Sequence, residues 1–86
     1  MNHFFINVGF GNIVNANKIM SIADSDSAPA KRDMAAFRSA GHLRDYTKGR
    51  KTRALIYMDD GSAVQSSMLP ETIATRFVGK ASKKNA

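Results

Sequence analysis

Four cationic side chains fall within six consecutive positions near the middle of this 86-residue sequence: Lys48, Arg50, Lys51 and Arg53. An arginine can hold a phosphate through two parallel hydrogen bonds, and a lysine presents a mobile point charge. Gly49 lies inside the cluster, where the missing side chain lets the backbone approach a ligand closely. The pattern favours contact with a phosphate backbone. The alternative is a solvated loop whose charges only keep the protein soluble.

The positive charge of the chain is unevenly distributed. The net charge is +6 and the sequence pI is about 10.1. Eight cations lie between residues 31 and 53 beside only two acidic residues, Asp33 and Asp45, so this segment alone has an excess equal to the net charge. A basic domain favours anionic partners, which are nucleic acid, anionic lipid or an acidic protein.

Few residues have the spacing of a catalytic or metal site. The two histidines, His3 and His42, do not form an HxxxH-type ligand pair. Asp59 and Asp60 are adjacent carboxylates, but Gly61 follows them, which is typical of a hairpin tip rather than of acid–base chemistry. The lack of cysteine excludes a disulfide framework and a thiolate metal site. We therefore expect no enzymatic activity, cofactor, metal or small-molecule substrate.

The elements that must position the cations begin with an apolar segment broken by glycine and asparagine. We expect a strand over Phe4–Val8, a turn or bulge at Gly9–Asn12 and a second strand near Lys18–Ala23. The GFGN segment lacks the third glycine and the GK[ST] ending of a phosphate-binding loop. A tight turn or bulge is therefore the favoured interpretation.

The segment DSDSAPAKRDMAAFRSAGHL has the pattern of a helix. Asp26 or Ser27 can cap it, Pro29 suits its first turn, and Gly41 is a natural end. One apolar stripe falls at i, i+4 and i+7: Ala30, Met34 and Phe37. Three cations lie off that stripe: Lys31, Arg32 and Arg38. They form either a solvated face or an anion-binding face, and the sequence leaves both open.

A hairpin and a second helix follow the basic cluster. We expect antiparallel strands over Arg53–Met58 and Ala63–Met68, joined by a two-residue Asp60-Gly61 turn. Pro70 opens the second helix and Gly79 closes it. The sequence thus predicts one α+β domain over residues 1–79, with a small antiparallel sheet and two short helices. A flexible basic tail is expected at 80–86.

Size and hydropathy suggest where the protein works and how it is stabilised. No apolar run approaches the roughly 20 residues of a membrane span, and the first residues do not resemble a signal peptide. We expect a cytoplasmic protein without membrane contact. A domain of this size buries only roughly 60% of its unfolded surface and has no disulfides here, which favours further burial between subunits.

The mode of nucleic-acid binding can be narrowed. RNA-binding domains usually interleave aromatic and basic residues so that bases stack. Tyr46 and Tyr57 flank the basic cluster without forming such a motif, and no helix-turn-helix spacing is convincing. Backbone-led binding to duplex DNA therefore fits better than single-strand stacking.

Four segments together resemble the RemA family of bacterial extracellular matrix regulatory proteins: FINVGFGNIV, DSAPAKR, GRKTRALI and LPETIATRF. Their order and spacing match over about Phe4 to Phe77 without a gap. The resemblance implies a small DNA-binding transcription regulator without enzymatic activity. It also implies a homo-oligomeric ring, heptameric or octameric, that exposes basic residues to double-stranded DNA and activates biofilm-matrix genes.

The resemblance also ranks the basic residues. The family's GRRTR stretch falls on Gly49–Arg53, which makes Arg50 and Lys51 the leading DNA contacts. A basic residue, usually arginine in the family, matches Lys18. Lys18 and Lys51 thus stand where the family has arginine, which keeps the charge and loses bidentate reach. The remaining candidates for DNA binding are Lys48, Arg32 and Arg53, of which Arg53 begins a strand and has an alternative role against a neighbouring subunit.

Two other functions stay open beside DNA binding. One is a ring-shaped protein–protein scaffold whose basic patch docks an acidic partner, and the other is an RNA-binding module.

Overall fold

Six short strands and two helices make up residues 4–76, the part of the chain that this computed structural model describes. A single 3-10 turn, Ala16–Lys18, joins the second and third strands. The strands are β1 (Phe5–Asn7), β2 (Ile13–Asn15), β3 (Ile19–Asp24), β4 (Leu43–Asp45), β5 (Ala54–Met58) and β6 (Ala63–Ser66). The helices are α1 (Ala28–Ala40) and α2, which occupies 70–76. Residues 1–3 and 77–86 lie outside the described part of the chain. They include His3, the predicted α2 end at Gly79 and the tail at 80–86.

The strands form two sheets. The larger has the order β3-β5-β6-β4, and β1 pairs with β2 in a separate antiparallel ribbon. The expected α+β class with two helices is confirmed. One detail differs from the expectation of an antiparallel sheet, since β4 pairs with β6 in parallel. The reason is that α1 carries the chain over the sheet from one edge to the other, and such a helical crossover returns the next strand in the same direction.

The first segment contains one strand more than the sequence predicts. The turn expected at Gly9–Asn12 is present, and the N–H of Val8 donates across it to the carbonyl of Asn12 at 2.8 Å. The expected second strand corresponds to β3, whereas β2 was missed because three residues are too few to show an alternating pattern. Lys18, expected at the start of a strand, belongs to the 3-10 turn.

The larger sheet is covered on both faces. Leu55 and Ala63 pack with α1 on one face, and Ile56 and Val64 pack on the other face with residues of the ribbon and with Ile73 of α2. Successive residues of β5 thus enter different cores, as the strand period of two requires. Ala54, Leu55 and Ile56 are completely buried.

Helix α1 follows the sequence prediction closely. Ser27 is the cap, and its hydroxyl accepts a hydrogen bond from the N–H of Ala30 at 3.2 Å. Ala30, Met34 and Phe37 are the residues that it packs against the sheet. The helix ends at Gly41, whose φ of 76° is the left-handed conformation that glycine adopts easily.

Each of the first four strands ends in asparagine or aspartate. The side-chain oxygen of that last residue accepts a hydrogen bond from the N–H two positions later, which turns the chain out of the sheet. The donor-to-acceptor distances lie between 2.7 and 3.0 Å. The four residues are Asn7, Asn15, Asp24 and Asp45.

The β5–β6 hairpin has a longer tip than the predicted two-residue turn. The N–H of Met58 donates to the carbonyl of Ser62 at 2.9 Å, so that Asp59, Asp60 and Gly61 form the connection. Gly61 has a φ of 87°, a left-handed conformation that lets the turn hold three residues instead of two. Asp60 accepts hydrogen bonds from both the N–H and the hydroxyl of Ser62, which lowers the pKa of its carboxyl group. Its carboxylate is therefore engaged in shaping the turn.

No helix within residues 4–76 combines the length and the apolar character that a membrane crossing needs.

Replacing Tyr57 with Phe should weaken the attachment of α1 to the sheet. The Tyr57 hydroxyl donates to the Asp33 carboxylate, and its ring meets the Phe37 ring edge-on at 5.9 Å. Tyr57→Phe keeps the ring contact and removes the hydrogen bond, so the free energy of unfolding at neutral pH should fall by about 1–2 kcal/mol in urea titrations.

The same comparison has a defined pH dependence. Burial, reinforced by the Asp33 carboxylate, raises the pKa of Tyr57 from 10.0 to about 12. Because the folded state holds the proton more tightly, the advantage over Tyr57→Phe is complete below pH 10.0 and disappears as pH rises through about 12. An advantage that stays constant over that range would contradict the assigned hydrogen bond.

Candidate nucleic-acid interface

The basic cluster begins in a tight turn of left-handed backbone. The N–H of Arg50 donates to the carbonyl of Thr47 at 3.0 Å, and the two central residues, Lys48 and Gly49, have φ values of 55° and 80°. Positive φ at both central positions defines a type I′ turn. No heavy atom lies within 4 Å of the position that a Cβ of Gly49 would take, so backbone conformation rather than space favours glycine there. The turn places Lys48 at its tip.

The start of this turn is anchored by Asp45 at the end of β4. Its carboxylate accepts hydrogen bonds from the hydroxyl and the N–H of Thr47 at 2.6 and 2.9 Å. These bonds, with a smaller contribution from the charge of Arg38, lower the pKa of the Asp45 carboxyl group. Thr47 itself is buried, and the N–H of Tyr46 donates to the carbonyl of Gln65 in β6. The turn is therefore tied to the sheet.

The end of the cluster is held by the backbone on both sides. The N–H of Arg53 donates to the carbonyl of Ser66 at 2.8 Å, and the carbonyl of Arg53 accepts from the N–H of Ser25 at 3.1 Å. Thr52 is held similarly, because its carbonyl accepts from the Ser25 hydroxyl and its hydroxyl from the Gln65 amide. The side chain of Arg53 stays exposed while its backbone continues the sheet.

An open groove of about 210 Å³ lies between these anchored ends. Three cations and one hydroxyl line it: Arg50, Lys51, Arg53 and Ser67. None of the three cations forms a salt bridge with another residue of the described part of the chain, where the one such pair joins Lys18 and Asp59 at 4.0 Å. A small cavity with this lining has the donors and the charge to hold a phosphate group.

The structure does not bring all predicted site residues together. Arg50, Lys51 and Arg53 share the groove, and Lys48 lies beside them at the tip of the turn. Lys18 lies at the opposite end of the β3–β5 ladder, next to the hairpin tip, because β3 pairs Ile19 with Met58 and Asp24 with Ala54. The strand rise puts Lys18 and Arg53 roughly 15–20 Å apart along the sheet.

Arg32 occupies an intermediate position. It is exposed in the first half of α1, at the end of the sheet where Ser25 bonds to residues 52 and 53. It does not line the groove.

Two residues near the cations were not predicted from the sequence, Ser67 and Phe10. Phe10 projects from the Gly9–Asn12 turn with 46% of its surface exposed, and the guanidinium carbon of Arg50 lies over its ring, 5.5 Å from the ring centre. The glycines on both sides of Phe10 were the available signal, since they indicate an unusual backbone conformation at this position.

Comparison with known proteins shows which family this chain resembles. The model of the family described as RemA-like, "Extracellular matrix regulatory protein A-like", matches residues 5–77. A protein of Carboxydothermus hydrogenoformans named "Putative regulatory protein" is 52% identical over 73 residues, which are 85% of this chain and 84% of the relative. Proteins of the same description from Bacillus cytotoxicus and Bacillus mycoides are each 51% identical over 76 residues, covering 88% of this chain and 87% of theirs.

Replacing Asp45 with Ala should loosen the basic turn. The variant removes both hydrogen bonds to Thr47, so we expect the Arg50 amide, which closes the turn, to exchange with solvent about fivefold faster. Hydrogen exchange followed by NMR measures this directly. Asp45→Asn keeps an acceptor oxygen and should behave like the unmodified protein.

The chain offers a matched control at the hairpin tip. Asp60→Ala removes the same kind of acceptor from Ser62 but should leave exchange at Arg50 unchanged. Equal acceleration of Arg50 exchange in the Asp45 and Asp60 variants would show that Asp45 does not anchor the turn specifically.

Proposed function

The chain belongs to the RemA-like family, and from this premise we propose that it is a non-enzymatic transcription regulator that binds duplex DNA through the Arg50–Lys51–Arg53 groove. The family match and the regulatory description of its relatives support a regulatory role. The observation that carries the DNA-binding proposal is the groove itself, where three cations without salt-bridge partners among the described residues stand on an anchored backbone.

The groove suits the DNA backbone better than it suits individual bases. Arginine offers a fixed fork of N–H donors that matches phosphate oxygens, and Lys51 adds charge without that geometry. Contacts of this kind position a protein on a duplex without reading its sequence. We therefore propose sequence-tolerant binding, in which Lys48 at the tip of the turn and Arg32 on α1 add long-range attraction.

The two tyrosines that flank the cluster in the sequence offer no stacking surface for single-stranded RNA. Tyr57 is half-buried and hydrogen-bonded to Asp33, and Tyr46 packs against the main core. Neither ring is therefore presented as a platform on which unpaired bases could stack.

Assembly into a ring would convert a weak groove into a strong DNA-binding surface. One phosphate site binds feebly, whereas identical sites on linked subunits act at high effective concentration on the same duplex. We propose a heptameric or octameric homo-oligomer, in keeping with the family resemblance, which would also bury surface that so small a domain leaves exposed. Its target genes would be of the biofilm-matrix type, and it would act in the cytoplasm.

Lys18 lies too far from the groove to hold the same phosphate. At roughly 15–20 Å from Arg53 along the sheet, it would contact a different phosphate from those held by Arg50. We propose that it forms a second contact on a duplex that runs across the subunit, or that meets the groove of one subunit and Lys18 of the next.

Replacing Arg50 and Lys51 together with Ala should abolish DNA binding without changing the assembly. Two charge-assisted contacts are lost, so affinity for duplex DNA should fall more than about 100-fold in mobility-shift assays. The logarithm of the binding constant should also depend less steeply on the logarithm of salt concentration, by a slope of about 1.8 for each groove engaged. Light scattering should report the same oligomer size as for the unmodified protein.

An exposed arginine outside the groove supplies the control. Arg44 lies in β4 near Asp60, and Arg44→Ala should leave binding much closer to that of the unmodified protein than Arg50→Ala does. Undiminished binding by the double variant would overturn the site. Absence of any duplex binding, together with recovery of an acidic protein that resists nuclease treatment, would replace DNA with a protein partner.

A further inference from the structure

Phe10 and Arg50 face each other from two tight turns that are far apart in the sequence. The Phe10 turn has three successive positive φ values, 115° at Gly9, 53° at Phe10 and 77° at Gly11. Asn12 closes it, because both its backbone N–H and its side-chain amide donate to the carbonyl of Gly9 at 3.0 and 2.9 Å. The Arg50 turn is held by two hydrogen bonds from Thr47 to the Asp45 carboxylate. The two side chains therefore meet from turns that are each closed by hydrogen bonds.

Core packing does not explain the conformation of Phe10. Phenylalanine rarely adopts a positive φ, which glycine or asparagine would tolerate far better. Its ring is 46% exposed and belongs to neither apolar core. The guanidinium of Arg50 does lie over the ring, 5.5 Å from its centre. Backbone strain at an exposed residue that contacts a candidate ligand-binding group points to a functional role.

We propose that Phe10 is a positioning residue for Arg50, an inference that rests on the proposed DNA-binding function. The face of an aromatic ring attracts a cation, and this attraction leaves the N–H edges of the guanidinium available for a phosphate. Arg50 both contacts Phe10 and lines the groove. The ring thus reduces the conformational freedom that Arg50 would lose on binding DNA.

This role makes position 50 chemically different from position 51. The guanidinium of arginine is planar, so its face can stack on the ring while its N–H edges bind a phosphate. The ammonium group of a lysine has no such planar geometry. Lysine at position 50 would therefore keep the charge and lose the shared geometry. Lys51 has no aromatic contact of this kind among the described residues, so it should accept arginine or lysine with a smaller difference.

The test uses two substitutions at position 10 that separate the ring from the turn. Phe10→Asn removes the ring and tolerates the left-handed backbone, so the protein should stay folded with unchanged or higher thermal stability. Phe10→Tyr retains the ring and is the conservative control. With a short duplex that engages a single groove, Phe10→Asn should raise Kd about two- to fivefold, and Phe10→Tyr should not.

A double-variant cycle with Arg50 distinguishes positioning from an independent contact. If Phe10 acts through Arg50, Phe10→Asn should have no further effect on DNA binding in an Arg50→Ala background. A direct measurement needs no DNA and no variant. The ring current of Phe10 should shift the Arg50 side-chain protons upfield in NMR spectra, relative to those of the exposed residues Arg32 and Arg44.

The outcomes separate this inference from the proposed function. Loss of duplex binding in Arg50→Ala with full binding in Phe10→Asn would overturn the role of Phe10 and leave the groove intact. An equal loss from Phe10→Asn in both backgrounds, or unshifted Arg50 protons, would also overturn it. If the unmodified protein binds no duplex, the proposed function falls and this inference falls with it.

Discussion

The basic groove depends on how the backbone is held where β5 begins. Arg53 has its N–H bonded to Ser66 and its carbonyl bonded to Ser25, so both neighbouring segments fix its position. The next three residues, Ala54–Ile56, are completely buried between two cores, which prevents the strand from sliding without exposing apolar surface. The cations that precede the strand are consequently presented from a rigid base. A cluster of equal charge on a free loop would lose more conformational freedom on binding.

The turns beside this strand combine strain with compensation. Lys48 and Phe10 hold left-handed conformations that cost about 1–3 kcal/mol each in a residue with a side chain. Nearby hydrogen bonds offset that cost. Thr47 donates to the Asp45 carboxylate in one turn, and Asn12 donates to the carbonyl of Gly9 in the other. Lys48 lies two positions before Arg50 in the same turn, and the Phe10 ring contacts the Arg50 guanidinium. The strain is therefore concentrated where the protein would meet its ligand.

Local chemistry made much of this structure predictable. The cap at Ser27, the stripe on α1 and the end at Gly41 follow from rules that involve only neighbouring residues, and so does the location of the β5–β6 hairpin. The parallel β4 strand could not be predicted, because its direction depends on where the crossover helix lands. Strand β2 could not be predicted because it is too short to show an alternating pattern. The three-residue hairpin tip could not be predicted because it depends on the conformations that Asp60 and Gly61 adopt together. In the site, charge spacing identified the groove cations. The pairing of Phe10 with Arg50 joins residues 40 positions apart, and the separation of Lys18 from the groove depends on strand register.

Hydrogen exchange of the whole protein with and without a duplex, followed by mass spectrometry, tests the central claim most directly. It locates the surface that DNA covers and works for an oligomer of any size. Our account predicts that added duplex slows exchange in the turns at 9–12 and 47–53. Exchange in the C-terminal part of α1 should change little. Protection confined to α1, or absent from 47–53 while DNA is bound, would contradict it.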